Sequence, residues 1–214
     1  IEITRCCKEE NEVKIVVWHL GVDSQTYIND KAGVIFKIVS DGETIAYSDE
    51  NTLSRVMTEY KNGYCKTITR QLGLSFLYDN TVIKNGYTKS VEVDKTYELH
   101  QRNIKPLKLF ERLPINITGK KNSVIIDMGK EVTGFIDLDF ESPEEQKILI
   151  AYGEHLTDGN VRRIIGERDF SVEIIAKRGE NKYLNSLRRI AGRYLEIFGE
   201  SEIKINYIGI RPVE

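Results

Sequence analysis

Hydrolysis of a glycosidic bond uses an acid and a base or nucleophile roughly 5 to 10 Å apart, so paired carboxylates come first. Asp137 and Asp139 stand two residues apart, near enough to cooperate, but they alternate with Ile136, Leu138 and Phe140. That is the pattern of a strand with one wet face, and solvated charge is the expected reading. Glu144 and Glu145 follow Pro143 in a turn signal, where solvated charge is expected again. Nucleophile and phosphate signatures are missing: the chain has no Gly-x-Ser-x-Gly elbow, no phosphate loop and no Gly-x-Gly-x-x-Gly. His19, His100 and His155 are scattered, and no cysteine pair has the spacing of a zinc site. Neither a catalytic residue nor a metal or other cofactor is expected. Of the three cysteines, adjacent Cys6 and Cys7 bond each other only with strained geometry. Reduced thiols are expected, with a disulfide from Cys65 to one of them as the alternative.

Aromatic rings could do a different chemistry, covering the apolar C–H face of a pyranose while polar neighbours bond its hydroxyls. Trp18, Tyr27, Tyr78 and Tyr87 lie nearest strand ends or loops. Trp18 falls inside an apolar run and is expected in the core. Tyr78 and Asp79, in the loop-like SFLYDN, are better placed for contact, against the competing expectation of a tyrosine packing a sandwich corner. Glu154 and Asp158 flank a polar loop with Asp158-Gly159 turn chemistry. These four residues, Tyr78, Asp79, Glu154 and Asp158, are the carbohydrate-binding candidates. Charge is unevenly spread: residues 123–160 sum to -7 and residues 161–193 to +5. Mutual pairing between neighbouring strands and loops is expected, with a basic groove for an anionic glycan or nucleic acid as the alternative.

The elements that would position these groups are short apolar runs of five to eight residues separated by Gly, Asn and Asp, the signal of an all-β sandwich. Val13–Leu20 is apolar on both faces, as an inner strand would be. Gly33–Val39 and Glu43–Ser48 flank Ser-Asp-Gly and read as a hairpin. Residues 136–140 and 170–174 alternate with period two, so each is expected to keep one side wet. Helical signals are weak; residues 186–197 are read as a loop entering a strand near Arg193. A polar stretch ending at Pro106 marks a boundary, after which Leu107–Leu113 starts afresh as a strand. The expected organisation is two antiparallel β-sandwich units, over 1–102 and over 103–214.

Composition agrees with a folded chain: 214 residues, 40% hydrophobic, with 31 basic against 33 acidic side chains and a formal net charge of -2. That balance excludes a strongly basic nucleic-acid binder. No apolar run nears the roughly 20 residues that span a bilayer, and IEITRCCKEE carries no signal-peptide core. A cytoplasmic location is expected, with secretion left open. The start at Ile1 and the end at IGIRPVE carry the expectation of a piece cut from a longer protein.

Three stretches, VIIDMGKEVTGFIDLDF (124–140), IAYGEHLTDGNVRR (150–163) and RDFSVEIIAKRGENKYLNSLRRIAGRYLEIFG (168–199), together resemble a known domain. It is the β-sandwich that precedes the catalytic domain of bacterial α-L-rhamnosidases, glycoside hydrolase family 78. The residues that carry the resemblance are Asp127, Gly129, Gly134, Glu154, Gly159, Asp169, Gly179, Glu180, Arg193 and Tyr194. Met128 departs from the usual aromatic, and 187–192 lacks an aromatic-rich run. NEVKIVVWHLG (11–21) and QLGLSFLYDN (71–80) resemble more loosely the jelly-roll-like domain before that sandwich. Gly129 and Gly134 are expected to supply a positive φ or close backbone approach, and Arg193 to pair with an acid of the 123–160 stretch.

The resemblance implies that catalysis belongs to a helical barrel beyond this chain. The expected function is therefore a non-catalytic accessory fragment of an α-L-rhamnosidase, with the catalytic domain as partner and a rhamnose-containing glycan as a further partner. The alternatives are a free-standing carbohydrate-binding module or lectin, and a protein-interaction sandwich.

Overall fold

A computed structural model describes residues 8–25, 27–61, 63, 66–69, 71–94, 98–101, 103–119 and 123–214. The expectations for Cys6, Cys7 and Cys65 lie outside the described residues. Every described regular element is a strand, so the all-β class holds. Two compact units emerge: residues 1–23, 27–55 and 86–107 make one, and residues 24–26, 56–85 and 108–214 make the other.

In the first unit the hairpin of Lys37–Ser40 and Glu43–Tyr47 forms as read from the sequence. Asp41 and Gly42 both take positive φ, 51° and 84°, the geometry that a two-residue turn needs to match the strand twist. Leu53–Ser54 pairs with Thr88–Lys89. The Val13–Leu20 run is not the expected inner strand: it forms no strand, and Val13, Ile15, Val16 and Val17 are each about half exposed. Trp18 is likewise out of any core, 39% exposed. Apolar residues on both faces need cover on both faces, and this unit buries none of its described residues.

In the second unit one 19-residue strand, Val124–Ser142, organises everything. Its first part pairs with Asn116–Gly119 on one side and Ile190–Phe198 on the other. Its second part pairs with Gly179–Leu184 and Lys204–Pro212. Beyond Ile190–Phe198 the sheet continues through Gln146–Gly153 and Ser171–Ala176. It ends in Leu77–Asp79, whose pairing with Ser171–Ala176 is parallel. SFLYDN thus contains a buried strand rather than a loop, and Leu107–Leu113 forms only a bridge, Leu109 to Val213.

Two glycines let the long strand change neighbours. Opposite Arg193 the ladder slips, from the Gly192–Val132 pair to the Tyr194–Asp127 pair, so residues 128–131 bulge out. Gly129 in this bulge has φ 74°. Gly134 sits where a methyl would overlap the Arg211 carbonyl oxygen, so only a bare Cα lets the Lys204–Pro212 strand approach. Between the two groups of strands lies the core, with Ile126, Ile136, Phe140, Ile150, Leu195 and Ile208 at most 1% exposed.

Candidate functional site

Period two was expected to leave one strand face wet, but Asp137 and Glu173 are buried. Burial of a carboxylate demands a partner, and each has one. Arg112 donates to Asp137 through both Nε (2.8 Å) and Nη2 (2.7 Å), and its Nη1 lies 3.6 Å from Asp139. The two carboxylates of the strand therefore both meet one guanidinium. Tyr207 lies beneath, its ring centroid 4.5 Å from the Arg112 guanidinium carbon. Glu173 meets Lys147 at 3.0 Å.

Asp127 accepts from Arg193 Nε and Nη2 (2.8 and 2.9 Å) and from the Gly129 N–H (2.7 Å), closing the bulge. The pairing expected of Arg193 is formed. Its guanidinium is what chiefly holds the Asp127 carboxyl below the usual carboxylate range, with burial working the other way. Asp169 is also held low: burial pushes it up, but Lys66 (2.9 Å) and the Ser171 hydroxyl (2.8 Å) outweigh that.

Tyr78 is 8% exposed, and its ring stacks on Tyr183 with centroids 4.2 Å apart. Around it, Tyr60 and Tyr183 share a 2.7 Å hydrogen bond, and Asn185 donates to the Tyr183 hydroxyl. Burial raises the Tyr60 hydroxyl to about 12 and drives Tyr183 up as well. Asp79 is buried too; burial raises its carboxyl, but Thr81 and Lys61 (3.0 Å) bring it below the usual range. Glu154 and Asp158 are exposed on a projecting arm, in which Leu156–Thr157 pairs with Asn160–Val161 across the positive-φ pair Asp158 and Gly159.

The four candidates do not converge. Asp79 pairs with Ile175, toward the Gln146 and Ala176 end of the sheet, whereas Glu154 and Asp158 follow Gly153, beyond the Ala151 and Ser171 end. Sequence reasoning did not find Arg112, Lys147 or Glu196, because each acts on a residue more than twenty positions away and no local spacing marks it. A general acid of glycoside hydrolysis needs a raised pKa. Asp79, Asp127 and Asp169 are shifted the other way and act as acceptors within structural clamps. Among the described residues no group of three or more His, Cys, Asp or Glu could hold a metal ion.

Residues 117–209 match the family model described as the bacterial alpha-L-rhamnosidase concanavalin-like domain. The native alpha-L-rhamnosidase from Aspergillus terreus is similar over 82% of this chain and 22% of that one, at 17% identity and a TM-score of 0.53. The alpha-L-rhamnosidase from Dictyoglumus thermophilum is similar over 65% of this chain and 18% of that one, at 19% identity and a TM-score of 0.51. The GH78 rhamnosidase of Bacillus sp. GL1 aligns over 46% of this chain and 11% of that one, at 23% identity and a TM-score of 0.38. At these identities the likeness to the Aspergillus terreus and Dictyoglumus thermophilum structures is one of fold; the chain spans only about a tenth to a fifth of the length of the three. No curated protein matches the chain.

Proposed function

Because residues 117–209 match the model of the bacterial alpha-L-rhamnosidase concanavalin-like domain, we propose that the chain is a non-catalytic accessory module of such an enzyme. Its sandwich supports a catalytic domain that performs the hydrolysis. The family match carries this reading. The clamped carboxylates support it, since acids held ionised by arginine and lysine serve folding and are poor proton donors.

The test is an aryl α-L-rhamnoside assay on the purified chain. The expected result is no release of the aryl group above the uncatalysed rate. Turnover anywhere near the usual range of about 1 to 1,000 per second would overturn the proposal. Titrating rhamnose and rhamnosylated oligosaccharides by NMR separates the accessory reading from a free-standing lectin. A supporting module shows no saturable shifts, whereas saturable shifts at exposed Glu154 and Asp158 would favour sugar binding through the arm.

A further inference from the structure

Residues 154–169 leave the sheet as two consecutive miniature hairpins, Leu156–Thr157 with Asn160–Val161 and Ile164–Ile165 with Arg168–Asp169. Apart from Val161, Arg163 and Asp169, every residue of this arm is exposed. A segment with so little buried apolar surface opens at low free energy unless something specific holds it. Two carboxylates do so. Asp169 ties the second hairpin to Lys66 and the Ser171 hydroxyl. Glu196, on the Ile190–Phe198 strand and 1% exposed, ties the first. One of its oxygens accepts from the Val161 N–H at 2.8 Å, and the other accepts from the Ser123 hydroxyl at 2.8 Å.

The register explains why Glu196 is in place to do this. It pairs with Ile125 on one side and Ala151 on the other, and these two form a small apolar cluster with Val161. Val161 is thus the lid on that cluster, and its backbone N–H is bound by the carboxylate in the cluster's midst. Among the described residues this buried carboxylate accepts from neutral donors, an arrangement that is costly to keep. What an apolar residue lacks is the acceptor for the arm's N–H.

We propose that Glu196 is the latch of a hinged strap: the 154–169 arm opens and closes over the Ile125 and Ala151 face while the sheet beneath stays intact, and the Glu196 to Val161 hydrogen bond sets the closed fraction. Amide hydrogen exchange resolved by residue tests this on the full chain at neutral pH. Glu196→Ala is expected to speed exchange across 156–161 by at least tenfold, with protection in Gln146–Gly153 and in the Ser171–Ala176 strand unchanged. Glu196→Gln keeps an acceptor for Val161 and is expected to stay within about threefold of the parent. Ser123→Ala, a milder change that leaves the Val161 bond in place, covers the case in which the alanine variant does not fold; it is expected to loosen the arm by a smaller factor than Glu196→Ala. The proposal is overturned by uniform acceleration over all strands, by equal arm exchange in parent and variants, or by an arm as unprotected in the parent as in an unstructured peptide.

Discussion

At the scale of single residues the decisive contacts are those that make buried charge tolerable. Asp137 is 3% exposed and relies on the fork of Arg112, with Arg211 Nη1 farther off at 3.9 Å. Removing the cation strands the anion, whereas removing the anion frees an arginine that already reaches water. Arg112→Ala should therefore cost about 2–3 kcal/mol and Asp137→Asn less, with the double variant below the sum. Urea unfolding of the three proteins checks the order, and an Asp137→Asn loss larger than that of Arg112→Ala would refute the argument. The two glycines of the long strand make a second contrast. Gly129→Ala meets open space, so its penalty is the left-handed backbone alone, about 1–2 kcal/mol. Gly134→Ala drives a methyl into the Arg211 carbonyl and must displace a core strand, a loss of at least about 4 kcal/mol, seen as insoluble or molten protein. Thermal melts of both variants, with soluble yield, decide whether the ranking is right.

Among the elements, the bulged strand shows where reading the sequence succeeded and where it stopped. The Asp41-Gly42 and Asp158-Gly159 turns were legible because turn chemistry is local, and both pairs adopt positive φ. Gly129 is a local positive-φ position of the same kind, whereas the need at Gly134 comes from the distant Arg211 carbonyl and only the family resemblance points to it. The alternation at 136–140 correctly placed the strand, yet it misjudged the polar face, since a buried Asp137 looks like a wet one until Arg112 is known to cover it. Tyr78 was read in a loop because three residues of strand carry almost no periodicity, and its burial depends on a parallel neighbour about a hundred positions away. The Asp127 and Arg193 clamp also gives the element a defined acid response. Its folded pKa lies below the unfolded value, about 3.9, so the unfolded chain takes up the proton more readily. The clamp thus stabilises fully above that pH and is lost as pH falls through the folded value. In urea titrations from pH 7 to pH 2.5, the stability gap between the parent and Asp127→Asn should be constant above about pH 5 and close progressively below about pH 4. A gap that widens on acidification would contradict the clamp.

For the molecule as a whole, composition indicates a folded chain and the short apolar runs an all-β one, but neither shows how unevenly the core is shared. Among the described residues, all the buried hydrophobic ones lie between Ile68 and Ile210 in the second unit, while none in 8–55 and 86–107 is buried. The second unit is also discontinuous: residues 56–85 lend it Ile68, Phe76, Leu77 and Tyr78, and then the chain departs before returning at 108. Stability follows buried apolar area, so the two units should differ sharply in their resistance to opening. Limited proteolysis by a nonspecific protease is expected to cut first within 8–55 and 86–107, before the 154–169 arm, and to spare 56–85 and the rest of 108–214. A cut in 86–107 severs the covalent link between the two parts of the second unit without touching what holds them together. Leu77–Asp79 stays hydrogen-bonded to Ser171–Ala176, and Tyr78 stays stacked on Tyr183. The nicked protein should therefore elute as one species under native conditions and separate into the 56–85 and 108–214 pieces only on denaturation. Early cleavage inside 66–79, or loss of the 56–85 piece from the native species, would show that this segment is not part of the second unit's core.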